Sequence, residues 1–423
     1  MISSRFSSQV AWTFATRVLM IFNSVVAGII VARWLGAEGV GQLAVINVAV
    51  ATIVQLGSFG LPSSNTYFIA QDQAHFRSAA INSLIFALVA GSILALGLSA
   101  IVSLRPDWFG FVSPKLIRIA SISIPFQLIA LIGLNILLAV GKVKEFNLVD
   151  LAGQSFVLIN AVLVLIMLHR GLEMLVTLNT AASFLVSIVV ASLLAMSAKS
   201  LARSQWRADM ALLRRMIGYG LKFHVSILAG AIILRADLLV VNHFRGAAEA
   251  GVYSVASQFG LLLMLLPGVI ATLLFPRVTA EQDARGETTC LVTRYTTFIM
   301  FLCCLAAVPF SLLLPVLYGA TFSDATTLLL ILLPGVYLMG LESVLVQHFN
   351  ALGLPRAIPV YWVATLALNL ILVFALVPRL GAQGAAVAST ISYAVIFGLV
   401  ALHFHTSTGR SFAEVFVLGS LRG

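Results

Sequence analysis

Residues 31–45 read VARWLGAEGVGQLAV, and residues 241–255 read VNHFRGAAEAGVYSV. At an offset of 210, Gly36 falls on Gly246 and Gly41 on Gly251. Each stretch places a glycine turn between two long apolar runs, so each reads as the bend between a pair of helices. A second pair of stretches, NILLAVGKVKEF (135–146) and QHFNALGLPRAI (347–358), matches at an offset of 212, with Gly141 on Gly353 and Lys144 on Arg356. Glycine turns are common, and either match alone carries little weight. Two matches at nearly one offset, joining equivalent runs, mark an internal duplication.

The runs around these turns decide the class. The chain has 423 residues, 61% hydrophobic and 9% charged, whereas an average soluble domain is about 25% charged. Its charges sit in short clusters between long uncharged stretches. That pattern excludes a soluble enzyme, a secreted disulfide scaffold and a disordered chain. A helix needs about 20 apolar residues to cross the hydrocarbon. Such runs lie near 10–32, 41–69, 79–104, 116–140, 146–168, 173–197, 216–243, 250–276, 290–314, 325–350, 357–378 and 382–405. The expected fold is all-α: a polytopic membrane protein with twelve transmembrane helices in two six-helix lobes. Residues 1–197 form one lobe and 216–407 the other, with a basic linker at 198–215 and a tail at 408–423. Six helices repeated after six keep their orientation. The lobes are therefore expected to be related by an axis along the membrane normal, with a substrate cavity between them.

Basic residues resist translocation, and they set the orientation. With the N terminus inside, the cytoplasmic segments hold fifteen lysines and arginines, including Arg77, Lys142, Lys144, Arg207, Arg214 and Arg215, against seven outside. Both termini and the linker are expected in the cytoplasm. Within the linker, Trp206, Met210, Leu213 and Ile217 share a helical face that Arg203, Arg207 and Arg214 avoid. This spacing fits a helix lying on the membrane surface, and a plain basic loop fits it equally. The net charge of +10 reads as loops facing an anionic membrane surface and not as nucleic-acid binding. Cys290, Cys303 and Cys304 have no metal-site spacing and read as packing residues. The start of the chain carries no cleavable signal pattern.

The stretch IIVARWLGAEGVGQLAVINVAVATIVQLGSFGLPSSNTYFIA (29–70) resembles the opening of bacterial polysaccharide transporters, Wzx-type flippases of the multidrug/oligosaccharidyl-lipid/polysaccharide exporter superfamily. Residues 220–278, LGLPR (352–356) and VPRLGAQGAAVASTIS (377–392) are similar to that family's second half. The resemblance spans nearly the whole chain, but its motifs are structural turns and name no substrate. It implies a MATE-like arrangement of twelve helices, alternating access, and transfer of a lipid-linked oligosaccharide to the outer leaflet of the bacterial inner membrane. The implied substrate is an undecaprenyl-pyrophosphate-linked repeat unit of O antigen, capsule or exopolysaccharide. The implied partners are the bilayer and polysaccharide assembly proteins, with no cofactor.

Charges inside the spans are the candidate site, because an intramembrane charge is expensive and usually faces a cavity or a partner. Arginine suits a pyrophosphate, since its planar fork donates two parallel hydrogen bonds. Arg17 lies in the first run, and Lys222 and Arg235 lie in the seventh. The resemblance implies that these two helices line the central cavity, which makes Arg17, Lys222 and Arg235 headgroup contacts. Local alternatives stand beside this. Lys222 can snorkel to the interface, and Arg235 can pair with Asp237, although residues two apart on a helix do not face each other. Asp150, Asp237 and Glu342 are candidates for coupling to Na+ or H+, or for pairing with the basic residues; pairing is the preferred role. Amides such as Asn23, Gln127, Gln154 and Asn369 can meet sugar hydroxyls or bond between helices.

Pro62, Pro125, Pro267 and Pro334 mark expected kinks. No P-loop, GxSxG elbow or DxD-like acidic pair is present, so no enzymatic activity is expected. A drug/cation antiporter of the same superfamily would need acidic groups to prevail in the spans. A polymerase or ligase would carry a large external loop. Neither feature is found in the sequence.

Overall fold

The computed structural model describes residues 4–198, 206–281 and 283–417, and every regular element among them is helical. In chain order these are α1 (Ser4–Gly57), α2 (Leu61–Gln71), α3 (Phe76–Leu104), α4 (Pro114–Ser121), α5 (Ile124–Ala139), α6 (Val143–Ala161) and α7 (Leu172–Ser197). They continue with α8 (Met210–Ile233), α9 (Ala236–Arg245), α10 (Ala247–Leu263), α11 (Leu265–Glu281) and α12 (Glu287–Ser311). The last five are α13 (Leu314–Tyr318), α14 (Asp324–Ala351), α15 (Ala357–Leu380), α16 (Ala382–Thr408) and α17 (Phe412–Phe416).

Among the described residues, ten helical stretches are long and apolar enough to cross a membrane. The bent pair α4 and α5, at 40°, supplies an eleventh. The first stretch, Ala15–Gly57, is 43 residues long, about twice what one crossing needs. It turns at Gly36, where φ 64 and ψ −173 leave the helical region, so it is two helices, which brings the stretches among the described residues to twelve. The chain is a multi-pass membrane protein. Large side chains such as Leu96 and Ile371 stand exposed along the spans, as a lipid-facing surface requires.

The duplication read from the sequence is visible in the backbone. Gly246, the partner of Gly36, has φ 96 and ψ 171 and separates α9 from α10. Gly141 and Gly353 also have positive φ, 75 and 110, at the turns that precede α6 and α15. L-residues with a Cβ rarely adopt this region, which explains glycine at all four turns. Three of the four span prolines stand in the first turn of a helix after a break, not at a mid-helix kink. Pro62 starts α2, Pro125 starts α5 and Pro267 follows the break at Met264. The missing N–H of proline costs nothing there. Pro334 alone lies inside its helix.

Contacts divide the chain into Met1–Ala231 and Ile232–Gly423, whereas the second lobe was expected to begin at 216. The reason lies in α8, whose first half packs into the first unit. Gly220 meets Gly60 so closely that a Cβ on either would lie within 2.6 Å of the other's backbone. Tyr219 stacks on Tyr67 at 4.2 Å. The linker expectation lies largely outside the described residues, since 199–205 are among those not described. Trp206 precedes the helix, and the buried face of α8 carries Leu212 and Met216, not Leu213 and Ile217. Asp209 caps α8 by accepting from Leu212 N at 2.9 Å. Asn82 of α3 grips the Asp209 backbone by bonds of 2.7 and 3.0 Å.

In the first unit α5 packs against α2, α3 and α7, and α6 against α1 and α7. In the second, α14 is the hub, touching α10, α11, α12 and α16. Two thirds of its most apolar window (67%) is buried, more than in any other spanning stretch.

Candidate functional site

Three side-chain pairs run along the seam between α1 and α6. Asn147 donates to Thr13 at 2.8 Å, Arg17 pairs with Asp150 at 3.0 Å, and Asn23 donates to Ser155 at 2.9 Å. Residue numbers rise together on both helices, so the two run parallel, as two odd-numbered passes must. Arg17 also lies over the Phe146 ring, 5.9 Å from its centroid. Carboxylate and ring thus hold the guanidinium in one place, while its side chain stays 39% exposed.

Asp150 lies on the wall of a cavity of about 520 Å³ inside the first unit, enclosed by α1, α4, α5, α6 and α7. Around it stand Asn47, Gln127, Gln154, Asn179 and Thr180. Gln127 donates to Ser123 at 2.8 Å, and Asn179 accepts from Asn160 at 2.9 Å. Asn47 and Gln154 are exposed and form no hydrogen bond among the described residues. Their amides are open to a ligand bearing hydroxyls, both as donors and as acceptors. Other span amides are used in assembly. Asn65 and Ser83 bond reciprocally, Asn369 donates to Ser392 at 3.0 Å, and Asn135 bonds its own turn.

The remaining charges separate. Lys222 is exposed on α8 and forms no ion pair among the described residues. Arg235 sits at the break between α8 and α9, exposed, and likewise forms no ion pair among them. Its alternative pairing with Asp237 is not formed, because Asp237 points into the second unit and is fully engaged. Asp237 Oδ2 accepts from the Tyr253 hydroxyl and from Ser389 at 2.7 Å, and Oδ1 accepts from Leu238 N at 2.8 Å. Glu342, on α14, is 1% exposed and makes no ion pair among the described residues. It lines a separate cavity of the second unit.

Sequence reasoning passed over Asn47, Asn179 and Thr180. Each lies in an apolar run as one polar residue among many, and only helix packing turns them toward a common space.

A sequence profile of a family described as "Polysaccharide biosynthesis protein" matches residues 30–327. The "Probable low-salt glycan biosynthesis flippase Agl15" of Haloferax volcanii is 24% identical over 380 residues, which cover 86% of this chain and 76% of that protein. Among solved structures, "Lipid II flippase MurJ, inward closed conformation" aligns with a TM-score of 0.75 at 17% identity, covering 96% of this chain and 88% of that one. An inward-facing multidrug resistance MATE family transporter of the MOP superfamily aligns at 0.73 and 17% identity, over 95% of this chain and 99% of that one. At such identities the structures show the fold alone, and the fold is MATE-like.

Proposed function

The chain belongs to the polysaccharide biosynthesis protein family, and from that premise we propose that it is a flippase for a lipid-linked oligosaccharide. The observation that supports this most is the arginine beside a polar, amide-lined cavity in the first unit. A polyprenyl pyrophosphate carries at least two negative charges, and its sugars carry many hydroxyls. The first need cationic donors and the second need amides, if both are to cross about 30 Å of hydrocarbon. Arg17 supplies the fork for phosphate oxygens. Lys222 and Arg235 are further contacts for the pyrophosphate, each with its charge unpaired among the described residues. Asp150 holds Arg17 ready in the absence of substrate.

In this reading an undecaprenyl-pyrophosphate-linked repeat unit of O antigen, capsule or exopolysaccharide moves by alternating access across a bacterial inner membrane. Both termini lie in the cytoplasm, and polysaccharide assembly proteins receive the product. The relatives' names point to transport and not to catalysis.

The test is reconstitution. Proteoliposomes holding a fluorescent polyprenyl-pyrophosphate oligosaccharide should expose it to an external quencher or glycosidase in a protein-dependent way. Surface glycan should return when a deletion strain is complemented. If charge reversal at Arg17, Lys222 and Arg235 were silent in both assays with normal protein levels, the anionic substrate would be wrong. A cationic drug would then be the substrate to test.

A further inference from the structure

The second unit buries a carboxyl that the headgroup chemistry leaves unused. Glu342 lies past the middle of α14, and its Oε1 is sealed from solvent with no hydrogen-bond partner. The opposite face of α14 is closely packed. A Cβ at Gly340 would meet Met300 of α12 at 2.8 Å and Pro267 of α11 at 3.2 Å. The residue itself lines a cavity of about 500 Å³ with Thr272, Ser343, Gln347 and Trp362. None of the residues that share this lining carries a charge.

Among the described residues, the charged groups on the helices packed around α14 are bonded elsewhere. On α10 the Tyr253 hydroxyl is bonded to Asp237, and on α11 Arg277 pairs with Glu281. On α12 Glu287 pairs with Arg410, and Arg294 donates to the Glu414 carbonyl. His348 of α14 faces Thr289, while His403 of α16 faces Tyr361 and His405 bonds the Arg410 carbonyl. A lone carboxylate in such a place is poorly solvated and must take a cation with it.

Two cations suit the site by charge, and the geometry separates them. Sodium sites in transporters draw on converging oxygens, often from unwound backbone. Here α14 runs without interruption from Asp324 to Ala351. With Oε1 sealed, the carboxyl offers at most one oxygen to the cavity. A proton needs only that oxygen and a water to carry it.

We propose that Glu342 is a proton-binding site reached through the cavity of the second unit, and that its loading and release couple transport to the proton gradient. Loading moves a proton from a hydronium in the cavity onto the carboxylate and leaves water; release reverses the step. The coupling rests on the flippase reading, whereas the proton site stands independently of it.

The experiment has two readouts on the full chain. Infrared difference spectroscopy of purified protein across a pH titration should show a protonated-carboxyl stretch that shifts in D2O. The stretch should be lost in Glu342→Gln and displaced in Glu342→Asp, the second variant keeping a titrating group if the first folds poorly. Flipping in proteoliposomes should accelerate with an imposed pH gradient in the wild type, and Glu342→Gln should lose that acceleration. An unchanged wild-type band in Glu342→Gln would overturn the site. So would displacement of the band by sodium at constant pH, with choline as control. A Glu342→Gln variant that still responds to the gradient would overturn the coupling. If the band titrates as expected but the wild type flips no lipid-linked glycan, the proton site stands and the flippase reading falls.

Discussion

The pair of Arg17 and Asp150 permits a measurement that separates a strut from a substrate ligand. At 3.0 Å and an effective dielectric near 20, the gross attraction is about 5 kcal/mol. The side chains keep 39% and 25% of their exposure, and water screens such pairs strongly. A double-mutant cycle of Arg17→Gln and Asp150→Asn is therefore expected to give a coupling of about 1–2 kcal/mol in stability. The readout is the unfolding free energy of purified protein in mixed micelles under denaturant. Transport should not follow the same cycle. A charge-assisted bond to phosphate is worth about 1.5–3 kcal/mol, so Arg17→Gln should slow flipping by roughly 10- to 100-fold. Asp150→Asn leaves the guanidinium in place and should stay within about threefold of wild type. Arg17→Lys should retain part of the activity, since lysine keeps the charge but loses the fork. Arg17→Glu should abolish it. Equal losses of transport in Arg17→Gln and Asp150→Asn, tracking their losses of stability, would refute the headgroup role and leave Arg17 a strut.

Three further outcomes are expected. Gly220→Ala should destabilise the protein by about 1–3 kcal/mol through overpacking, because its Cβ would lie 2.6 Å from Gly60 O. Gly218→Ala, with open space around it, should be neutral or mildly stabilising, and equal thermal midpoints for the two variants would contradict this. The short helix α17 should be acid-labile. Glu414 is held below the ordinary carboxylate range by bonds from the Ser411 backbone and hydroxyl, and Arg410 and Arg294 lower it further. A lowered carboxyl stabilises the fold above its ordinary value and loses that contribution as pH falls through the lowered one. Hydrogen exchange of residues 411–416, corrected for intrinsic rates, should therefore rise below about pH 4.3 and should lose this pH dependence in Glu414→Gln. Finally, with Cys290, Cys303 and Cys304 replaced by serine, a cysteine at Ser204 should resist an impermeant reagent in intact cells and react in inverted vesicles. Labelling in intact cells would reverse the topology drawn from the basic residues.

Much of this architecture was legible because membrane insertion makes the reading one-dimensional. Backbone groups must be satisfied within each segment, so an apolar run of sufficient length is a helix whatever its neighbours do. The glycines at 36, 141, 246 and 353 were legible for a similar reason. Their role is a local backbone conformation that no partner supplies. The break inside the second run was signalled by Pro62, whereas the break inside the seventh was not. Phe59 and Gly60 interrupt one just before that proline, and Leu234 and Arg235 interrupt the other, where neither proline nor glycine stands.

The candidate site was legible only as a set of residue types. Arg17 and Asp150 are 133 positions apart in the chain, and their pairing required α1 and α6 to lie parallel in one register. The same packing chose Asn47 and Gln154 for the cavity and used Asn65, Asn160 and Asn369 as fasteners between helices. It also moved the start of α8 into the first unit through contacts at Gly60 and Tyr67. The sequence alone determined the helices, the duplicated turns and the charges that would have to be accommodated. The tertiary structure decided which charges are paired and which cavity each polar group faces. Lipid enforces the first residue by residue, whereas the second depends on distances between helices that no local pattern encodes.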